Sequence, residues 1–126
     1  MVTKKGAGDE GEARAWTHLQ RHGLALVQRN YRVALGARVP GGEVDLIVRE
    51  PDGTLVFVEV RARRRGGLVG AAASITGAKR RSIVLAARHY LQRFATPPPC
   101  RFDVVAIDFR DGKAQLEVYP NAFVLG

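Results

Sequence analysis

The chain has 126 residues, of which 46% are apolar and 25% charged, and this composition is typical of one globular domain with its own core. A formal charge of +8 favours a polyanionic partner, most often nucleic acid. The single cysteine, Cys100, excludes a disulfide framework and a cysteine-based zinc site, and no apolar run has the length of a membrane span or signal peptide. We therefore expect one cytoplasmic domain, residues 1–126, with no membrane association.

The first predicted element is a helix that Asp9 caps and Gly23 ends, with residues 1–8 frayed. Apolar side chains at helical spacing put Glu12 at the end of the core-facing stripe. Asp9 and Glu12 also have the spacing of a capping box, which needs no function. Two interpretations of Glu12 are therefore open, a cap partner or a functional carboxylate.

Two apolar strands follow, and each contains an acid. After an extended or bulged strand over residues 24–33, the stretches 43–49 and 55–61 predict strands, with Asp45 in the first and Glu59 in the second. Residues 51–53 form a three-residue hairpin loop in this interpretation, and its register places Asp45 directly opposite Glu59.

Facing carboxylates need an explanation, because Cβ atoms at such positions are about 5 Å apart and like charges there are destabilising. Burying an acid also costs several kcal/mol unless it is paired or binds a metal. One explanation is a neutralising cation such as Arg61, which shares a strand face with Glu59 and lies opposite Glu43 in the same register. The other is a divalent cation such as Mg²⁺, which prefers oxygen ligands.

A basic segment follows the second acid and precedes a second helix. Arg63, Arg64 and Arg65, continued by glycines, indicate either a phosphate-contacting loop or a solvated charge run. Thr76 is the expected cap of a long helix that ends near Phe94.

Three basic residues of this helix have predicted directions. Lys79 shares the apolar face, and because the helix follows the Glu59 strand, we expect Lys79 to point towards Glu59. Arg80 and Arg81 point elsewhere and enlarge the basic surface.

The C-terminal part predicts a buried strand over 101–109, a turn at 111–112 and an edge strand over 115–119. The first three strands should form an antiparallel meander, and the fourth should be added parallel through a right-handed crossover. The expected fold class is α/β, with a mixed central sheet of about five strands flanked by helices.

Several segments together resemble a known family, and the resemblance covers nearly the whole chain. They are residues 8–13 (GDEGEA), 29–32 (RNYR), 42–47 (GEVDLI), 56–61 (VFVEVR), Lys79 and 101–104 (RFDV). The combination resembles the YraN-like family of small bacterial proteins, which is grouped with the PD-(D/E)XK nuclease superfamily and is similar to archaeal Holliday junction resolvases. This resemblance implies a restriction-endonuclease-like order of helix, three strands, helix and two strands.

The resemblance also implies a site and a reaction. Asp45 and Glu59 match the metal-binding acids, the carbonyl of Val60 matches a further ligand, and Glu12 matches the helix-borne glutamate of the resolvases. The implied cofactor is Mg²⁺ or Mn²⁺, and the implied activity is hydrolysis of phosphodiester bonds in DNA, branched or structured DNA included. The resolvases further suggest a homodimer.

One residue departs from the superfamily pattern, which has lysine two positions after the second acid, where this chain has Arg61. Arginine keeps the charge and contacts phosphates, but it cannot accept a proton. Either charge alone suffices, or Lys79 replaces the lysine, or activity is lost. The alternatives to a nuclease are therefore a degenerate nuclease-fold module that binds nucleic acid without cleaving it, and a basic adaptor that docks on an acidic protein.

Overall fold

The structure, a computed structural model, describes residues 4–63 and 75–124, with the backbone alone at residues 4–9, 63 and 110. It contains two helices and five strands. They are α1 (Lys4–Arg21), β1 (Ala25–Val33), β2 (Gly42–Arg49), β3 (Leu55–Arg63), α2 (Gly77–Leu91), β4 (Cys100–Arg110) and β5 (Lys113–Phe123). No helix within these ranges is long and apolar enough to cross a membrane.

The five strands form one mixed sheet in the order β1-β2-β3-β4-β5. All neighbours are antiparallel except β3 and β4, which are parallel and are joined through α2. The α/β class, the five-stranded mixed sheet and the parallel placement of the fourth strand are therefore confirmed.

The β2–β3 hairpin has the predicted register. The Glu50 N–H donates to the Thr54 carbonyl across a three-residue loop, at 2.9 Å. Arg49 then faces Leu55, and the pairing continues to Leu46 opposite Val58. The regular pairing ends one position before Asp45 and Glu59, whose side chains are nevertheless next to each other, as the loop length predicts.

A separate hydrophobic core lies on each face of the sheet. The face beneath α2 is packed with Tyr31, Val33, Ile47, Leu55, Phe57, Ile83 and Tyr90, and the face beneath α1 with Ala15, Leu19, Leu46, Val48, Val56 and Val58. Alternation along β3 therefore follows the predicted period of two. Glu59, two residues after Phe57, belongs to the α2 face.

Helix α1 begins five residues before the predicted cap, so the assignment of Asp9 as its first flanking residue is wrong, and residues 4–8 are helical rather than frayed. The glycines in this segment each cost about 1 kcal/mol relative to alanine, which is not enough to stop a helix that packs on a sheet. A capping box requires its acid in the first turn of a helix. Glu12 lies two turns in, so the capping interpretation of Glu12 is wrong.

The other helix boundaries agree better with the sequence. Gly23 ends α1 with φ of 89°, and the Leu24 N–H donates back to the Leu19 carbonyl, a Schellman arrangement that glycine favours. Thr76 caps α2 by accepting a hydrogen bond from the Lys79 N–H. α2 ends at Leu91, and a single further turn reaches the predicted end at Phe94.

Candidate functional site

The site lies where β2 and β3 separate. Their backbone pairing ends at Leu46 and Val58, and in the next position the Asp45 side chain accepts a hydrogen bond from the Val60 N–H, with 2.8 Å between Oδ2 and N. A carboxylate oxygen therefore takes the place of a strand carbonyl. This bond fixes Asp45 against the neighbouring strand that carries Glu59.

The core packing of β2 also shows that this strand is irregular near Asp45. Val44 belongs to the core beneath α2 and Leu46 to the core beneath α1, although residues two apart in a regular strand share a face. On the adjoining strand, Asn30 lies between the pairs that Val44 and Leu46 make with β1, and its φ is 51°. Asparagine tolerates this left-handed conformation better than most residues. The side chains of β2 thus change from one face of the sheet to the other at Asp45.

Glu59 is only 3% exposed, and it is next to another acid. Burial, together with the hydrogen bond and the charge of the Asp45 carboxyl, raises the pKa of Glu59 to about 9. Lys79 acts in the opposite direction but does not cancel these effects. Without a metal, the raised pKa therefore favours the protonated form of Glu59 at neutral pH.

Lys79 reaches the same pair from the other side. Its Nζ lies 3.3 Å from Glu59 Oε2, and the side chain is half-buried beside the acid. The position follows from the cap at Thr76 and from the packing of α2 on β2. The predicted direction of Lys79 is confirmed.

Gly42, which the sequence interpretation did not single out as a positioning residue, permits that packing. A Cβ atom at Gly42 would lie 2.6 Å from the Ala86 nitrogen and 2.8 Å from the Ser82 carbonyl oxygen. No real Cβ contact is that short, so only glycine lets α2 approach β2 this closely. The Ser82 hydroxyl adds a second link by accepting a hydrogen bond from the Glu43 N–H. A glycine at the start of a predicted strand was the one sign in the sequence of this close helix–strand approach.

Glu12 is buried, at 9% exposure, on the helix that packs against the opposite face of the sheet from Glu59. At the adjoining Gly11, an added Cβ would lie 3.3 Å from the Ala62 Cβ, so α1 is close to the end of β3. Among the described side chains, those of residues 10–62, 75–109 and 111–124, however, no three histidine, cysteine or acidic groups are close enough to hold a metal ion. The structure thus brings Asp45, Glu59 and Lys79 together but does not add Glu12 to them.

A family model described as "Uncharacterised protein family UPF0102" matches residues 11–107. The chain belongs to this family. The match includes Asp45, Glu59 and Lys79, and it confirms the resemblance to the YraN-like family.

Relatives from other bacteria share the family name. A UPF0102 protein of Methylibium petroleiphilum is 65% identical over 108 residues, covering 86% of this chain and 88% of the relative. A UPF0102 protein of Albidiferax ferrireducens is 58% identical over 84% of this chain and 80% of its own length. One from a Polaromonas species is 53% identical over 98% of this chain and 84% of its own length.

In this UPF0102 chain, Arg61 lies two residues beyond Glu59 on the same strand face, opposite Ala106 of β4, and is half-buried. Its predicted neighbour across the hairpin, Glu43, lies beyond the end of the regular β2–β3 pairing. The ion pair recorded for Glu43 is with Arg32 of β1, at 3.4 Å. The divergence of the strands at Asp45 accounts for this change of neighbour.

The predicted phosphate-contacting residues fall into two groups. Arg80 and Arg81 are exposed in the first turn of α2, next to Lys79, and the Arg80 guanidinium lies 5.8 Å from the centre of the Phe123 ring. Arg63 ends β3, but its side chain is outside the described part of the chain, as are Arg64 and Arg65 entirely. Their predicted role stays a prediction.

Proposed function

We propose that this protein is a metal-dependent endonuclease that hydrolyses phosphodiester bonds in DNA, with branched or otherwise structured DNA as the favoured substrate. One observation carries the proposal. The carboxyl groups of Asp45 and Glu59 lie next to each other inside the sheet, although burial and this proximity raise the pKa of Glu59 to about 9 and cost stability whenever both acids ionise. Such perturbed acid pairs concentrate at functional sites.

The donors fit a hard divalent cation such as Mg²⁺ or Mn²⁺. Two carboxyl groups contribute oxygen atoms, and a doubly charged ion would displace the proton of Glu59 and allow both acids to be charged side by side. Asp45 and Glu59 would hold the ion, and the resemblance to nucleases adds the Val60 carbonyl and Glu12, directly or through water. Such an ion activates a water molecule and stabilises the charge that develops on the phosphate.

The basic residues around the pair have distinct roles in this proposal. Lys79, with Nζ 3.3 Å from Glu59, would balance the charge of the acids and orient the nucleophilic water as a hydrogen-bond donor. Arginine contacts phosphates but cannot act as a base, so Arg61 would bind the scissile phosphate. Lys79 therefore replaces the lysine that the superfamily has at the position of Arg61.

DNA is the proposed partner because the chain carries a net charge of +8 and two exposed arginines directly follow Lys79 in α2. Arg80 and Arg81 follow Lys79 directly on α2, so a backbone whose phosphate reaches the site would also pass them. We expect DNA affinity to fall steeply with salt and to persist without metal. Neutralising either arginine should make the salt slope shallower by about one unit.

A catalytically degenerate module that binds DNA without cleaving it is the second candidate. Two observations favour it. Arg61 stands where the superfamily has lysine, and the acids of the described ranges form no ready three-ligand group. This candidate predicts the same salt-dependent DNA binding and differs only in the outcome with metal.

A cleavage assay on linear, nicked, flapped and four-way DNA with Mg²⁺ or Mn²⁺ separates the two. The nuclease predicts strand breaks that disappear with a chelator and in Asp45→Asn. Glu117→Gln is the matched control, since it neutralises an exposed acid on β5. Intact DNA in every reaction, together with retained binding, would establish the degenerate module instead.

A further inference from the structure

A groove of about 710 Å³ lies between the outer side of α2 and the end of β5. Its helix side is formed by Val84 and Leu85, and its strand side by Phe123 and Val124. The volume is in the range of cavities that bind several side chains or a drug-sized ligand. Val124, the residue after β5, is 78% exposed and adds an apolar side chain to the partly exposed Phe123 beside it.

The groove exists because α2 covers only part of the sheet. The helix packs mainly on β2 and also contacts β1 and β3, which leaves the β4–β5 side of the same face open. A row of stacked rings crosses this side, from Phe57 to Phe102 and then to Phe123, with 4.9 Å between the centres of the last two. The apolar core therefore continues to the groove and ends there with partly exposed rings and aliphatic groups.

The rim of the groove has one sign of charge. Arg80, Arg81 and Arg88 line it, and none of the described lining residues is acidic. An occupant must therefore be apolar where it enters the groove and acidic where it meets the rim.

We propose that the α2–β5 groove binds an acidic, amphipathic peptide segment of a partner protein. Its apolar side chains insert between Val84, Leu85 and Val124, and its carboxylates meet the arginines of the rim. A nucleic acid fits less well, because its bases need aromatic platforms and the floor is mostly aliphatic. A second copy of the chain also fits less well, since it brings a net charge of +8 to a basic surface.

The probe for this surface is a fluorescein-labelled peptide of twelve residues that alternates aspartate pairs with leucine and phenylalanine. We expect anisotropy to show micromolar binding, about 10-fold weaker when asparagine replaces aspartate, since the attraction is partly electrostatic. Val124→Asp should weaken binding at least about 10-fold. Val39→Asp is the matched control, because Val39 is 53% exposed on the loop between β1 and β2 and does not line the groove.

The fold should tolerate both substitutions because both side chains are exposed, and circular dichroism confirms this before binding is measured. Leu85→Glu gives a second test from the helix side of the groove and should weaken the peptide equally. Equal affinities of wild type, Val124→Asp and Leu85→Glu would overturn the proposal. So would an oligothymidine probe that alone responds to these variants, or a dimer in sedimentation that Val124→Asp dissociates.

Discussion

Asp103 and Glu59 are each 3% exposed, on neighbouring strands of one sheet, yet their surroundings are opposite. Both oxygens of Asp103 lie 3.1 Å from the Arg101 guanidinium, and the Asn121 N–H donates to it at 3.0 Å. Glu59 instead faces the carboxyl of Asp45, with one lysine beside it. A buried acid with a structural role has its hydrogen-bond donors within the protein. The paired acids lack enough positive charge around them, and an added cation would supply it.

The largest expected effect is the loss of metal binding at the acid pair. Asp45→Ala should abolish Mn²⁺ binding in calorimetry and lower cleavage by about 10³-fold, because the ion loses a direct ligand. Wild type should release about one proton per ion at pH 7, since Glu59 is protonated beforehand. Asp103→Asn is the control and should keep Mn²⁺ affinity. If Asp45→Ala bound Mn²⁺ as tightly as wild type, the acid pair would not be a metal site, and the contrast with Asp103 would fail.

Next in size is the stability cost of removing the satisfied acid. Asp103→Ala leaves Arg101 and the Asn121 N–H without their shared acceptor, so we expect a loss of about 2–3 kcal/mol in urea unfolding. Asp45→Asn should leave stability unchanged or raise it, because it removes a buried charge while an oxygen remains for the Val60 N–H. If Asp45→Asn cost as much as Asp103→Ala, the acid pair would be structural.

The pH dependence of stability sharpens the same contrast. The pKa of Glu59 is raised from 4.5 to about 9, so between these values the folded chain holds a proton that the unfolded chain has lost. The contribution of Glu59 to stability is therefore fully present below the unfolded pKa and is lost as pH rises towards 9. Metal-free wild type should lose about 1–3 kcal/mol from pH 5 to 9 relative to Glu59→Gln. Parallel pH profiles of the two proteins would show that Glu59 is ionised throughout.

The smallest expected effects concern the two cations near the pair. Lys79→Ala should lower cleavage about 10²-fold and Arg61→Ala less, because Lys79 already contacts Glu59. Arg61→Lys should retain or raise activity, since it restores the superfamily pattern. Single-turnover rates at saturating Mn²⁺ measure all three. A larger loss in Arg61→Ala than in Lys79→Ala would reverse the roles that the geometry assigns.

Much of the acid pair was predictable from local rules. The loop length fixed the hairpin register, and hence Asp45 opposite Glu59, while a period of two placed Glu59 on the face that α2 covers. Helical spacing then directed Lys79 to the same place. These rules work because each depends on residues close together in the chain.

The start of α1 and the shape of β2 were not predictable in the same way. Residues 1–8 were predicted to be frayed, but residues 4–8 begin a helix that approaches β3 further along, at Gly11. The change of side-chain face in β2 at Asp45 occurs beside Asn30 of the adjoining strand. The alternation of residues 43–49 does not predict it. The position of Glu12 relative to the acids depends on how a helix and a sheet dock, which spacing alone cannot give.

The hairpin register has a consequence for the order of folding. The two acids are joined by a short loop, so they meet within the microseconds that a hairpin needs to close. The pairing of β3 with β4 must wait for the whole crossover through α2. The two carboxylates therefore repel each other early in folding, when the chain has formed few other contacts that could offset the repulsion. Stopped-flow refolding without metal should then be faster at pH 5 than at pH 8 in wild type, and equal at both in Glu59→Gln. The forming hairpin takes up a proton, so the folding rate of the protein depends on the pH of the solution.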